Sequence, residues 1–105
     1  NRYWTLVNDT DPKKLVIRNG KTRNTLSLYS SEDLITWQHE QTIISHPDVY
    51  HHGVQYVDWQ FEGNDIVAVI RTAWEDEEGN AHNQHDSNYI LFRRIENFAK
   101  NTTLK

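Results

Sequence analysis

Apolar and polar residues alternate along much of this chain with a period of two, which is the pattern of β-strands that bury one face. Between residues 25 and 29, for example, Leu26 and Leu28 alternate with polar neighbours. Segments rich in Asn, Asp, Gly and Pro separate the apolar runs and predict turns and loops. Residues 32–36 fit one helical turn. The pattern predicts an all-β fold with strands at 3–7, 15–17, 25–29, 37–44, 54–61, 66–70 and 88–93.

The clearest pair of strands is a predicted hairpin. In the first strand Val57, Trp59 and Phe61 share one face, and a turn at Gly63 leads into the second strand at 66–70. A Gly-containing turn between two such runs is a hairpin signal. The second strand is apolar at every position, so we expect it to be buried on both faces inside a layered structure.

The order of strands and loops predicts more than isolated hairpins. Four-stranded antiparallel meanders that repeat every 40–50 residues or so are the blades of β-propellers. We therefore interpret 1–105 as a single partial domain, in which 1–45 end one blade and 54–98 begin the next. A closed ring needs about four to eight blades. The expected partners include the remaining blades of a larger chain.

Composition narrows the possible classes of protein. The chain has 105 residues, of which 11% are aromatic, and this content argues against intrinsic disorder. It has no Cys, which excludes disulfides, Cys zinc sites and thiol nucleophiles. The net charge of -4 argues against a nucleic-acid partner. No apolar run approaches the roughly 20 residues of a membrane-spanning helix.

One motif lies in the predicted turn at 30–37, whose sequence is SSEDLITW. The side chains of Ser31 and Asp33 can hydrogen-bond to backbone groups of the turn, and Trp37 can cap the core of the blade. The motif resembles the Asp-box turn of sialidase-like β-propellers and the S-x-D-L-x-x-W variant of other propeller glycosidases, although it lacks the Gly of the sialidase form. The resemblance implies a structural role, away from the active site.

Four further segments extend this resemblance over nearly the whole chain: YWTLVND, VQYVDWQFEGNDIVAVIRTA, AHNQHDSNY and ILFRRIENF. They look like the last blades of bacterial sialidase-like (BNR-type) proteins. The resemblance implies a secreted or periplasmic glycoside hydrolase acting on acidic glycans. It also implies three arginines, a Tyr–Glu nucleophile pair and an Asp acid, and we assign no Tyr of this chain to that pair. A polysaccharide lyase acting on uronate-containing glycans and a non-catalytic glycan-binding propeller remain the alternatives.

The resemblance implies that the loops at 8–24, 45–53 and 72–87 share the functional face. Five of the six His residues fall in the last two loops. His51 or His52 could act as a general base, because an imidazole titrates near neutral pH. We expect no cofactor, with a divalent metal as the alternative. The histidines of the last loop are candidates for acid–base chemistry, for that metal site, or for a solvated loop: His82 and His85, with Asp86.

The remaining candidates would recognise the substrate. Arg71 follows the buried strand at 66–70 and could bind a substrate carboxylate, or form a salt bridge to Glu75 or Asp76 instead. Tyr56 and Asp58 would line the central channel, and Trp74 would stack on a sugar or pack against the blade. The acidic run at 75–78 reads as a solvated loop. The predicted catalytic residues are His51, His52, Arg71 and His85, and the predicted substrate-binding residues are Arg71, Tyr56, Trp74 and His82.

Overall fold

The computed structural model of the protein describes residues 2–8, 23–48, 51–79, 81 and 87–101. Within these ranges the chain forms strands and one short 3-10 helix, so the prediction of an all-β fold is confirmed. The predicted strand at 15–17 lies outside the described residues. The strands are β1 (Tyr3–Asn8), β2 (Thr25–Ser31), β3 (Gln38–Ser45), β4 (Gly53–Glu62), β5 (Asp65–Ala73) and β6 (Tyr89–Ile95), and the 3-10 helix is Phe98–Asn101.

The described strands form two antiparallel sheets of three strands each. Sheet 1 has the order β1-β2-β3 and sheet 2 has the order β4-β5-β6, so strands that follow one another in the chain are neighbours in space. The predicted hairpin joins β4 and β5 through Gly63, whose φ of 58° lies in the region that favours glycine. A bulge interrupts β4 between Gln55 and Asp58, and Tyr56 within it has a φ of 51°.

The two sheets share one hydrophobic core. Leu26 and Leu28 of β2 are fully buried, but their polar neighbours Thr25 and Ser27 are buried too, so the prediction that only one face of this strand is buried is wrong. The 3-10 helix adds Phe98, which packs edge to face against Trp4 with ring centroids 4.9 Å apart. The buried core residues are Leu6, Leu26, Leu28 and Ile44 from sheet 1, Val54, Ile66, Ala68, Ile70 and Ile95 from sheet 2, and Phe98.

The opposite face of sheet 2, which we call the outer face, differs from the expectation for β5. Val69 is paired with Phe92, and both side chains are exposed. Arg71 is paired with Ile90, which is also exposed. The expectation that β5 is buried on both faces therefore holds only in part: Val67 and Ala73 on this side are buried, whereas Val69 between them is exposed. The apolar residues of the inner face alone reach the core.

The segment that connects β2 to β3 is a series of bends rather than a helical turn. The Ser31 hydroxyl oxygen accepts hydrogen bonds from the backbone N–H groups of Asp33 (3.2 Å) and Leu34 (2.9 Å). The Asp33 Oδ1 atom accepts from the backbone N–H groups of Ile35 and Thr36, both at 2.8 Å. Two polar side chains thus organise the whole turn.

Trp37, the last residue of this motif, directly precedes β3. Its side chain is 38% exposed, and it does not belong to the core that the described residues form. The described core therefore uses Trp4 rather than Trp37 as the tryptophan beside sheet 1.

Candidate functional site

Three chain connections meet at one end of the two sheets. His46 directly follows β3, and its backbone N–H donates a hydrogen bond to the carbonyl oxygen of Asn24 (3.0 Å), the residue before β2. His52 directly precedes β4, and Glu75 lies two residues after β5. His52 hydrogen-bonds to Glu75. These connections belong to the loops at 8–24, 45–53 and 72–87, which were expected to share one face. The residues of these loops that the structure describes do lie close together.

Two histidine rings form the centre of this cluster. The imidazoles of His46 and His52 are stacked, with centroids 3.5 Å apart and planes 6° from parallel. The Trp74 ring stands perpendicular to both, at 5.0 Å from His46 and 4.8 Å from His52. His52 is only 2% exposed. The three aromatic rings therefore pack against one another at the centre of the cluster.

His52 lies between two carboxylates. Its Nδ1 atom is 2.9 Å from Asp48 Oδ2, and its Nε2 atom hydrogen-bonds to Glu75 Oε2. The Nε2 atom of His46 is 3.7 Å from the same Glu75 oxygen. An ionised carboxylate only accepts hydrogen bonds, so His52 must donate from both ring nitrogens when both carboxylates are ionised.

The neighbouring groups have shifted acidities. The hydrogen bond from His52 is the main cause that lowers the pKa of Glu75, whose side chain is half exposed. Burial lowers the pKa of His46, and repulsion from the charge on His52 adds to this effect. The backbone N–H of Asp48 donates to Nδ1 of His46 (3.0 Å), which requires that nitrogen to be unprotonated. At neutral pH the site therefore presents a carboxylate beside a neutral imidazole.

The cluster is a possible metal-binding triad. His46, His52 and Glu75 each offer one ligand atom, and these atoms lie within 4.8 Å of one another. The metal candidates from the sequence, His82, His85 and Asp86, lie outside the described residues.

His51 has a different position from its neighbour. Its Nδ1 atom lies 3.1 Å from the carbonyl oxygen of Ala81, and its backbone N–H donates to Asp48 Oδ2 (3.1 Å). Of the two adjacent histidines, therefore, only His52 contacts Glu75 in the described cluster.

A cleft of about 330 Å³ lies beside the histidine cluster. Trp74 and Tyr89 give it aromatic walls, and Glu75 and Arg93 bring opposite charges to it. The side chain of Arg93 is exposed and forms no ion pair with any residue in the described part of the chain. The residues that line the cleft are Ile44, Thr72, Trp74, Glu75, Tyr89, Leu91 and Arg93.

Arg71 and Tyr56 lie together, away from this cleft. The guanidinium carbon of Arg71 is 5.5 Å from the centre of the Tyr56 ring, a cation–π distance. Arg71 makes no salt bridge to Glu75 or Asp76: Glu75 contacts His46 and His52, and Asp76 accepts a hydrogen bond from Asn88 (3.1 Å). The structure thus brings together His52 and Trp74 of the predicted site residues, and it separates Arg71 and Tyr56 from them.

Sequence reasoning missed five members of the site, of which His46 was noted only as one of the five histidines in the loops. Asp48 precedes His52 by four residues, and this spacing was the available signal for their contact. Tyr89 and Arg93 share the inner face of β6 with Leu91, as the period of two would have shown. Glu75 had no local signal, because its role depends on which connections meet.

We compared the chain with protein-family models, with curated proteins and with solved structures, and nothing in any of the three comparisons matches it. In the described residues we find no helix that is both long enough and apolar enough to span a membrane.

Proposed function

We propose that this chain is part of a carbohydrate-active, sialidase-like β-propeller protein that hydrolyses acidic glycans, and that the cleft beside Glu75 binds the glycan. The observation that carries the proposal is the cleft itself, which combines two aromatic walls with Arg93 and Glu75. The two three-stranded meanders are compatible with incomplete blades, and the uncovered outer face of sheet 2 leaves room for a further blade.

Each wall of the cleft has a chemical counterpart in an acidic sugar. The rings of Trp74 and Tyr89 offer apolar surfaces for the C–H faces of a pyranose. The guanidinium group of Arg93 can form paired hydrogen bonds to a sugar carboxylate. The cleft is therefore suited to a sugar that carries a negative charge.

The ionised Glu75 would be the reactive group. Its lowered pKa suits a general base or nucleophile and not a general acid, because an acid must be protonated at the working pH. Glycoside hydrolysis generally needs a second carboxyl group as the acid. The proposal assigns that group to a part of the protein outside the described cleft.

A polysaccharide lyase is the second candidate, and the neutral imidazole of His46 favours it. A lyase needs a base that removes the proton next to a uronate carboxylate, and a neutral imidazole can do so; in His46 the basic nitrogen is Nδ1, so the hydrogen bond from the Asp48 N–H must first break. Its products contain an unsaturated sugar that absorbs ultraviolet light. Product analysis on a uronic-acid oligosaccharide therefore separates the two reactions, and a protein that binds without releasing products would be a glycan-binding propeller.

Calorimetric titration of the intact protein with a uronic-acid tetrasaccharide and with its carboxyl-reduced form tests the binding site. Loss of a hydrogen bond to a charged group costs about 1.5–3 kcal/mol, so Arg93→Ala should weaken binding of the acidic sugar about tenfold or more. Binding of the reduced sugar should hardly change.

The neighbouring Arg94 provides the matched control. It forms salt bridges with Glu62 and Asp65, so Arg94→Ala should leave glycan affinity unchanged. Arg71→Ala tests the assignment made from the sequence. If Arg71→Ala weakens binding and Arg93→Ala does not, or if the reduced sugar binds as tightly as the acidic one, the proposed site is wrong.

A further inference from the structure

We infer that His46, His52 and Glu75 form a binding site for a divalent ion of the zinc type. The inference starts from the separation of the three ligand atoms, which lie within 4.8 Å of one another. Tetrahedral zinc with bond lengths of about 2.0–2.2 Å needs ligand atoms about 3.3–3.6 Å apart. The 3.7 Å between His46 Nε2 and Glu75 Oε2 is already close to that spacing.

The donor set selects the type of ion. Two imidazole nitrogens and one carboxylate oxygen are a ligand set that proteins use for catalytic zinc, with the fourth position left for water or substrate. Calcium and magnesium prefer all-oxygen sites and are poorly served by imidazole. The half-exposed Glu75, next to the cleft, leaves one side of the triad open to solvent.

The surroundings of His52 support the same inference. Asp48 Oδ2 accepts the Nδ1 proton of His52, which leaves Nε2 directed toward Glu75. A carboxylate behind a ligating histidine is the usual outer partner in zinc sites, where it fixes the tautomer and raises the basicity of the ligand. The two stacked rings are 6° from parallel, and an imidazole nitrogen binds an ion in the plane of its ring, so one ring must rotate against Trp74 before both can hold the same ion.

Ion binding requires a specific redistribution of protons. The ion replaces the direct hydrogen bond between His52 and Glu75, and the Nε2 proton of His52 is released to solvent. Neutral His46 carries its proton on Nε2, because Nδ1 accepts the backbone N–H of Asp48. Coordination through Nε2 moves that proton to Nδ1, so the bond from the Asp48 N–H must break. Zinc binding should therefore shift the backbone amide resonance of Asp48.

The test is a zinc titration of the intact, chelator-treated protein, with a competing chromophoric chelator and amide NMR spectra as the two readouts. We expect saturable binding of one Zn²⁺ per chain and no binding of Ca²⁺ at the same concentration. His46→Gln and Glu75→Gln should each weaken zinc binding by at least about tenfold. Loss of a residue that only hydrogen-bonds to a ligand already weakens metal binding by about 10–100-fold, and loss of a ligand should cost no less. Asp48→Asn should weaken it about 10–100-fold.

Two exposed residues outside the triad provide the controls. Glu77→Gln changes an exposed carboxylate in the loop of Glu75, and His39→Gln changes an exposed histidine on β3; both should bind zinc as the wild type does. These variants avoid the buried His52, whose replacement would endanger folding.

Two results would overturn the inference. One is the absence of saturable zinc binding. The other is zinc binding that survives both His46→Gln and Glu75→Gln but is lost in His82→Gln and His85→Gln, which would place the ion elsewhere. The zinc titration uses no glycan, so it can fail while glycan binding by the cleft stands; a bound ion would engage Glu75, which would then not be free to act as the base or nucleophile of the proposed function.

Discussion

At the scale of single residues, Asp33 shows how one carboxylate can define a turn. Its Oδ1 atom accepts two backbone N–H groups at 2.8 Å and the Ser31 hydroxyl at 3.0 Å. The hydrogen bonds from Thr36 and Ile35 are the main causes that lower the pKa of Asp33. A group whose pKa is lower in the folded state binds fewer protons there than in the unfolded chain, so it makes stability rise with pH.

We therefore predict that Asp33 stabilises the fold fully above the ordinary aspartate pKa of about 3.9 and loses this effect as the pH falls through its lower folded value. Asp33→Asn keeps an acceptor oxygen but cannot titrate. The free energy of unfolding, measured in urea at pH 6 and pH 3, should fall less between the two pH values in this variant than in the wild type. Asp58→Asn, an exposed control on β4, should follow the wild type. Identical pH dependence in Asp33→Asn and wild type would contradict the assignment.

At the scale of elements, β2 is the strand that sheet 1 buries most completely. Leu26 and Leu28 are fully buried in the shared core, whereas Leu34 and Ile35, in the turn after β2, are exposed. Residues of similar hydrophobicity therefore have opposite environments within ten positions of the chain. Their contributions to stability should differ accordingly.

Leu28→Ala should lower the free energy of unfolding by about 2–5 kcal/mol, because it removes buried methyl groups and leaves a cavity. Ile35→Ala, at a side chain that is 82% exposed, should change it by no more than about 0.5 kcal/mol. Urea unfolding of the two variants measures the difference. A large loss in Ile35→Ala would mean that a part of the protein outside the described residues covers the turn.

The strands could be predicted because their signal is local. The period of two around Leu28, and the turn at Gly63, need no knowledge of the rest of the chain. The same period would also have placed Arg71 correctly. Ile70 and Thr72, the residues on either side of Arg71, are buried on the inner face of β5. Arg71 therefore lies on the outer face, where it is paired with the exposed Ile90.

The contact between His52 and Glu75 could not be predicted in this way. It joins residues 23 positions apart, and it exists because β4 and β5 bring two connections to the same end of sheet 2. The exposed side of sheet 2 is likewise a property of the assembled fold. The sequence of β5 predicts a buried strand, but burial also depends on what packs against it.

At the scale of the whole molecule, the outer face of sheet 2 exposes several apolar side chains in the described structure. Tyr56, Val69, Ile90 and Phe92 are all exposed on or beside this face. Soluble proteins rarely leave such patches uncovered without an interaction partner or a tendency to associate. The face therefore affects how the chain behaves in solution.

We predict that the 105-residue chain on its own associates with itself in a concentration-dependent manner, because association covers this face. Phe92→Asp should reduce association, since it places a charge in the centre of the patch beside Val69. Sedimentation velocity over a range of concentrations measures the effect, with Ile35→Asp as a control at an exposed apolar residue outside sheet 2. Equal association of wild type and Phe92→Asp would exclude the outer face as its cause.

The position of the histidine cluster has a mechanical consequence. His46 extends from the last strand of sheet 1 and Glu75 from the central strand of sheet 2, so a ligand held by both residues would act as a cross-link between the two sheets. A cross-link of this kind restricts the opening of one sheet away from the other. The binding free energy adds to the free energy of unfolding, and above the dissociation constant this contribution grows with the logarithm of the ligand concentration. Ligand binding would then make both sheets more resistant to thermal opening and to proteolysis, including at positions far from the ligand.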